Sequence, residues 1–403
     1  MSREPIKLAA VGGRRAQAFD RAVQALADRV QWTAICDPDE TMLARWQTHH
    51  PGIQAFTRLE DLLERGDCDA VLLATPLSLH AAQAIQALAA DKHVLSEVPA
   101  IRTLDEGWAL IEAVERSDRV YMMAENYCYL RENRLVLGLA RDGQFGEITY
   151  AEGAYIHDCR ALLFSASGEL TWRGLYRRDM NGNSYPTHSL GPVAQWMGIN
   201  RTDRLVSTAT WMTREEAVHR YAAEILGADH PAAQPGHFRH GDSATTLIRT
   251  ERGALIVLRV DWASPRPHNM THYALQGTRG AYLSARHPGE DPLIWLDGLS
   301  PGASPPDERR GEATWEPLWR YANLVHDDLW SAYGGQAAST GHGGGDFLVF
   351  VDFLRAIEEH APPAIDVYDA VTWSAIIPLS EISVQQGGAP VAIPDFRRDR
   401  GAP

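Results

Sequence analysis

The sequence predicts an α/β protein in two parts: a doubly wound parallel sheet over residues 1–125, and an α+β domain with a largely antiparallel sheet over 126–403. Strand-like and helix-like patterns alternate through the first part, and its strands are short continuous apolar runs, as expected of parallel strands covered on both faces. Beyond Asn126 the texture shifts to longer Thr- and aromatic-rich segments punctuated by glycine, which suits antiparallel strands.

The elements follow in order. IKLAAVG (6–12) reads as a strand ending in a glycine turn, and Ala18, Ala22, Val23 and Leu26 then recur at helical spacing. QWTAIC (31–36) is a second strand ending at Asp37, followed by a helix; CDAVLLATP (68–76) is a third strand, followed by the helix LHAAQAIQALAA (79–90). KHVLSEVP (92–99), the helix LDEGWALIEAVERS (104–117) and VYMMAEN (120–126) complete the alternation. In the second part EITYAEGAYIHD (147–158), RLVSTATWMT (204–213), SATTLIRTERGALIVLRVDWAS (243–264) and HYALQGTRGAYLS (272–284) read as strands. FLVFVDFLRAIEEH (347–360) and AVTWSAIIPLSEISVQQ (370–386) read as buried helices, and two Pro/Gly-rich stretches, 225–242 and 284–314, as surface excursions.

Composition narrows the partners. A net charge of −14 repels phosphate backbones and anionic membrane surfaces, so neither nucleic acid nor a membrane is expected. No apolar stretch approaches the ~20 residues of a membrane helix, and the N-terminus runs into the first strand without a signal-peptide core, which points to the cytoplasm. Cys36, Cys68, Cys128 and Cys159 lack metal-ligand or disulfide spacing, so reduced thiols and no metal are expected. All but two of the 38 basic residues are arginine; Lys7 and Lys92 leave almost nowhere for a lysine acid or base.

The turn VGGRRA is a degraded G-x-G-x-x-G, with Gly12 and Gly13 adjacent, Arg14 next and Ala16 in the third small position. Its setting between strand and helix, with Asp37 at the tip of the second strand to accept both ribose hydroxyls, points to a Rossmann dinucleotide-binding domain. A Rossmann domain that has lost its cofactor is the alternative. Asp37 favours NAD over NADP, because a 2′-phosphate would meet like charge, while Arg14 and Arg15 pull the other way. Thr75, Pro76 and His80 stand at a strand's carboxyl end, where such sheets bind ligands; His80 either touches the cofactor or caps the next helix.

The strand-end pattern TPxxxH followed by Glu97-Val98-Pro99 resembles the Gfo/Idh/MocA family of nicotinamide-dependent sugar and polyol oxidoreductases. Members usually carry E-K-P with a catalytic lysine, and Val98 occupies that position. MMAENYCY (122–129), FGEITYAEGAYIHD (145–158), NGNSYPTHSLGPVAQ (181–195), the HYALQGTRG segment, HGGGDF (342–347) and IDVYDAVTWSAIIPLSE (365–381) are similar to glycoside hydrolase family 109, the NAD-dependent α-N-acetylgalactosaminidases. That resemblance covers most of the chain. It implies an NAD-dependent glycosidase whose site residues fall on Glu125, Tyr155, Arg173, Tyr185 and His188, with His268 standing where the family carries a tyrosine. A sugar or inositol dehydrogenase and a non-catalytic sugar sensor are the alternatives. Antiparallel sheets in this superfamily pair into dimers or tetramers, so the resemblance also implies a homo-oligomer.

The residues support these roles physically. Tyr185 and His188 are three apart, which on one helical turn puts a phenol beside an imidazole, an acid–base pair tunable to neutral pH. Tyr155 and Arg173 can hydrogen-bond sugar hydroxyls, and Trp172 can stack on a pyranose face; a half-buried strand tyrosine and a surface ion pair are the plain readings. Glu125 is held by Asn126 near the nicotinamide or caps a turn. Asp346 reads as a helix N-cap, and His342 is left open.

Overall fold

The computed structural model describes residues 4–267, 271–302 and 313–397. The chain divides into two compact units, Met1–Arg131 with Asp327–Ala375, and Glu132–His326 with Ile376–Pro403. This division departs from the boundary expected at 125/126. The apolar run at 347–360 does form a helix, but its apolar face is spent on the first unit, where Phe350 meets Phe19 edge-on with ring centroids 5.5 Å apart. Arg29 and Glu358 pair at 2.8 Å at the other end of that helix.

The first unit holds a parallel sheet of six strands among the described residues: β1 (Ile6–Val11), β2 (Val30–Cys36), β3 (Gln54–Phe56), β4 (Ala70–Leu73), β5 (His93–Ser96) and β6 (Tyr121–Met123), in the order β3-β2-β1-β4-β5-β6. All four residues of β4 are buried, because helices cover both faces. The chain leaves β1 toward β2 on one side and returns through β4 on the other, so the carboxyl ends of β1 and β4 bracket the switch point where a ligand crevice forms. The edge strand β3 was not foreseen: three residues of mixed burial carry too little periodicity to register. The helix expected after β1 breaks into Gly13–Ala16, a 3₁₀ turn Gln17–Phe19 and Asp20–Ala25.

In the second unit the described strands are β7 (Ile148–Ile156), β8 (Leu205–Met212), β9 (Ser243–Thr250), β10 (Leu255–Asp261), β11 (Thr271–Gly277), β12 (Gly280–Leu283), β13 (Leu293–Leu296), β14 (Glu316–Pro317) and β15 (Val391–Ala392). They form one sheet in the order β14-β13-β12-β11-β7-β10-β9-β8-β15, antiparallel except where β10 runs parallel to β7. That parallel pair brings the carboxyl ends of β7 and β10 together, with Tyr155 opposite Val260 and Ile156 opposite Asp261.

Helix Thr187–Trp196 lies on β7, and Gly153 sets how closely: a Cβ at that position would stand 2.0 Å from the Ser189 carbonyl oxygen. Only a glycine lets helix backbone and strand backbone meet there. The closeness is what carries His188 down onto Tyr155. The 370–386 run is two helices, Val367–Ser374 in the first unit and Ile376–Gln385 in the second, so the boundary between units falls inside an apolar stretch.

The N-cap expected of Asp346 belongs to Gly344, which makes no side-chain cap bond. Helix Gly345–Glu359 starts one residue before Asp346, and that carboxylate turns to side-chain partners described below. Among the described residues no helix is long and apolar enough to cross a membrane.

Candidate functional site

In the first unit the strand ends assemble most of the residues expected to hold a cofactor. Gly12 has φ +93°, and a Cβ there would lie 2.6 Å from the Ala74 carbonyl oxygen, so the turn after β1 presses against the end of β4 as only glycine allows. The Gly13 peptide is pinned at both poles: its N–H donates to Asp37 Oδ2 at 2.8 Å, and its carbonyl accepts from Trp46 Nε1 at 3.1 Å. Asp37 Oδ1 accepts from the Asp39 N–H at 3.0 Å. Each carboxylate oxygen keeps a second lone pair for a ribose hydroxyl.

Arg14 is exposed on this turn, whereas Arg15 swings inward, pairs with Glu97 at 2.7 Å and lies over the Phe19 ring at 4.9 Å. Glu97 is 6% exposed and also accepts from the Val98 N–H at 3.3 Å. Val98, at the superfamily's lysine position, is itself buried and offers no proton. Thr75 donates to Gln83 Oε1 at 2.6 Å. Both ring nitrogens of His80 lie against backbone oxygens, Pro99 at 2.7 Å and Thr75 at 2.8 Å, so this buried side chain staples two strand-end loops together.

After β6, Glu125 is fully buried and accepts the Tyr127 N–H in the turn Asn126–Tyr129. Asn126, 3% exposed, donates from Nδ2 to Asp346 Oδ1 at 2.7 Å, while its Oδ1 is buried with no hydrogen-bond partner among the described residues. A backbone cradle at Gly12, a carboxylate at the tip of β2 and an orphaned acceptor beyond β6 fit a dinucleotide laid across the carboxyl edge.

The second unit gathers an aromatic cluster at the joined ends of β7 and β10. Tyr185 and His188 stack edge-to-face with ring centroids 5.0 Å apart, Tyr155 lies 5.1 Å from His188 and 5.4 Å from Tyr185, and His157 is 5.8 Å from Tyr155. Tyr185 precedes the N-cap Pro186, so the pair does not share a helical turn; a loop folds the phenol back over the first turn instead. The Tyr273 hydroxyl donates to the His188 carbonyl and ties helix Thr187–Trp196 to β11.

Spacing did not reveal the floor of this cluster. Trp262, just past β10, sits 5.2 Å from Tyr185, and the buried Arg177 guanidinium lies 4.4 Å from the Trp262 ring centroid. Burial pushes Arg177 down to about 10, and burial together with the Arg177 charge holds His240 well below the ordinary imidazole range. Burial pushes the Cys159 thiol up to about 11, against the pull of Arg177, Arg173 and a hydrogen bond with Tyr155, so this cysteine is a poor nucleophile. Trp172 is 36% exposed and carries the Arg173 guanidinium over its ring at 4.3 Å, in the first turn of helix Trp172–Asp179. His268 lies outside the described residues.

Comparison with known proteins decides the family. Residues 129–401 match the family described as glycosyl hydrolase 109, C-terminal domain, and residues 6–125 match the oxidoreductase family with an NAD-binding Rossmann fold. A glycosyl hydrolase family 109 protein of Solibacter usitatus is 37% identical over 92% of this chain and 83% of its own. The chain belongs to glycosyl hydrolase family 109. A second family 109 protein, from Stenotrophomonas maltophilia, is 33% identical over 92% of this chain and 84% of its own.

Solved structures show the same fold at lower identity. An oxidoreductase domain protein from Kribbella flavida superposes with a TM-score of 0.75 at 20% identity, covering 98% of this chain and 100% of that one. Levoglucosan dehydrogenase in complex with NADH and L-sorbose gives 0.74 at 19%, covering 97% and 100%. The family 109 chain is thus an NAD-dependent glycosidase built on a Gfo/Idh/MocA framework.

Proposed function

We propose that this family 109 enzyme cleaves glycosides by transient oxidation at sugar carbon 3, elimination, water addition and re-reduction, with α-N-acetylgalactosaminides or related glycosides as substrates. The observation that carries the proposal is the Tyr185–His188–Tyr155 cluster, three proton-carrying or hydrogen-bonding rings within 5.4 Å of one another. Gly12, Gly13, Arg14, Asp37, Thr75, His80, Glu97, Glu125 and Asn126 are the cofactor-side residues. Bound NAD supplies a reversible hydride acceptor at carbon 3 and is not consumed.

His188 or Tyr185 takes the carbon 3 hydroxyl proton. With carbon 3 at the ketone level, carbon 2 becomes acidic, and the same pair removes its proton while the carbon 1–aglycone bond breaks. Water then adds to carbon 1 of the enone, and carbon 2 regains a proton. Arg173 and Tyr155 hydrogen-bond the enolate oxygen or a neighbouring substituent, and Trp172 and His268 shape sugar selectivity. Val98 argues against the ordinary dehydrogenase route, because the position that would donate the proton is apolar.

A cytoplasmic, homo-oligomeric enzyme completes the reading. The four cysteines are free and buried, which suits a reducing compartment. Trp211, Leu247 and Leu255, each more than 40% exposed, stand on one face of β8, β9 and β10, with Thr245 and Val257 between them in register. A second copy of the chain would cover that face. The test of the function is a screen of nitrophenyl glycosides of both anomers without added cofactor: hydrolysis with no growth in NADH absorbance supports it. NADH accumulating in step with product returns the enzyme to the dehydrogenases.

A further inference from the structure

Asp346 is a deeply buried carboxylate of the first unit with two side-chain partners, and nothing in the proposed chemistry uses it. It is 1% exposed. Its oxygens are divided: Oδ2 accepts from His342 Nδ1 at 2.7 Å, and Oδ1 accepts from Asn126 Nδ2 at 2.7 Å. The backbone is locked to the same geometry. His342 has φ +49°, Gly343 and Gly344 are also left-handed, and a Cβ at Gly345 would stand 2.4 Å from the Asn126 carbonyl oxygen, so the helix start rests directly on the Asn126 peptide.

The division matters because an ionised carboxylate only accepts hydrogen bonds. Burial raises the Asp346 carboxyl, but the His342 hydrogen bond and charge, the Asn126 hydrogen bond and the Arg15 charge outweigh it and hold the group below the ordinary range. The Asn126 amide therefore cannot turn its oxygen toward Asp346 without setting two acceptors against each other. Its NH₂ is fixed inward, and Oδ1 is left as a buried acceptor without a partner among the described residues. A buried acceptor left unsatisfied is costly, so a bound group is expected to supply the donor.

Asp37 at the tip of β2 marks the adenosine end of the crevice. Asn126 follows β6, on the opposite half of the sheet, where the nicotinamide end lies. The donors at that end are the carboxamide NH₂ and the ribose hydroxyls. We infer that Asp346 is a positioning residue for the cofactor: it holds the Asn126 amide so that Oδ1 accepts a hydrogen bond from the nicotinamide carboxamide N–H. The inference rests on the NAD reading and adds to it the residue that sets the acceptor's direction.

The test is nucleotide exchange on the holoprotein, with the acetylpyridine analogue of NAD as competitor, because an acetyl group replaces the carboxamide and has no N–H. Bound nucleotide is identified by chromatography after denaturation. Wild type should retain NAD over the analogue by roughly tenfold or more, the weight of one buried hydrogen bond. Asn126→Ala removes the acceptor and should bring the ratio near one. Asp346→Leu releases the amide and should do the same. The Ala variant keeps the test decisive if the Leu variant fails to fold. Preference surviving in Asn126→Ala or Asp346→Leu overturns the inference, and so does a wild-type ratio near one, which would leave the ribose hydroxyls as the partner. Protein that takes up neither nucleotide overturns the NAD reading itself.

Discussion

Tyr185 and His188 hold their rings 5.0 Å apart although only His188 belongs to the helix; the tyrosine reaches it from the loop before Pro186. Their geometry depends on a loop conformation as much as on a helical turn. Tyr185→Phe and His188→Ala are each expected to lower turnover by roughly 10²–10⁴-fold, the usual weight of a positioned acid–base group, with an unchanged circular dichroism spectrum. Rates near wild type for both would place the proton chemistry elsewhere.

Asp37, the proposed ribose acceptor, also holds the Gly13 N–H through Oδ2 at 2.8 Å. Asp37→Ala should weaken NAD retention by roughly ten- to a hundredfold, through the lost ribose acceptor and a loosened glycine turn. The read-out is nucleotide content after gel filtration. Retention equal to wild type would exclude Asp37 from the ribose site.

The order of bond changes has an isotopic signature. Carbon 2 loses a proton before the glycosidic bond breaks and regains one afterwards, so hydrolysis in heavy water should deposit deuterium at carbon 2 of the released sugar. Carbon 3 should remain unlabelled, because its hydrogen never meets solvent. Direct displacement at carbon 1 predicts no carbon-bound deuterium, and one NMR spectrum separates the two.

His93 gives a pH dependence of stability. Burial first, then the nearby Arg119 charge, lower its pKa to about 4, and its Nδ1 accepts from the Val120 N–H at 2.9 Å. The folded state therefore binds fewer protons than the unfolded chain between about pH 4 and the ordinary imidazole range. Stability should be complete above about pH 6.5 and fall as pH drops toward 4, by at most about 1.4 kcal/mol per pH unit. Urea unfolding at pH 7 and pH 5 should show the difference, and His93→Asn should flatten it.

Legibility in the sequence followed local pattern. β4 was readable because Ala70, Val71, Leu72 and Leu73 are apolar on both faces, and the Tyr185/His188 pair because three-residue spacing suggests contact even though a loop supplies it. Trp262 and Arg177 were not readable, since Trp262 reaches Tyr185, and Arg177 the Trp262 ring, through β10 running parallel to β7, a pairing between segments about a hundred residues apart. The Gly153 slot was equally hidden: one glycine in a strand looks like any other until the Ser189 carbonyl is laid against it. For Asp346 the spacing to His342 was visible, but its partner Asn126 comes from a distant strand end, and without it an N-cap was the natural reading.

The first unit is assembled from two separated pieces of chain, Met1–Arg131 and Asp327–Ala375, and this sets a schedule for synthesis. At about 5–20 residues per second, the ribosome spends roughly 10–40 s on the intervening segment before the helix that covers Phe19 emerges. During that interval the six-stranded sheet is complete in sequence while the face destined for Phe350 stays bare. The nascent chain must therefore carry an unsealed nucleotide fold through about half of its translation, and a transcript truncated before Asp327 would encode a sheet lacking that cover.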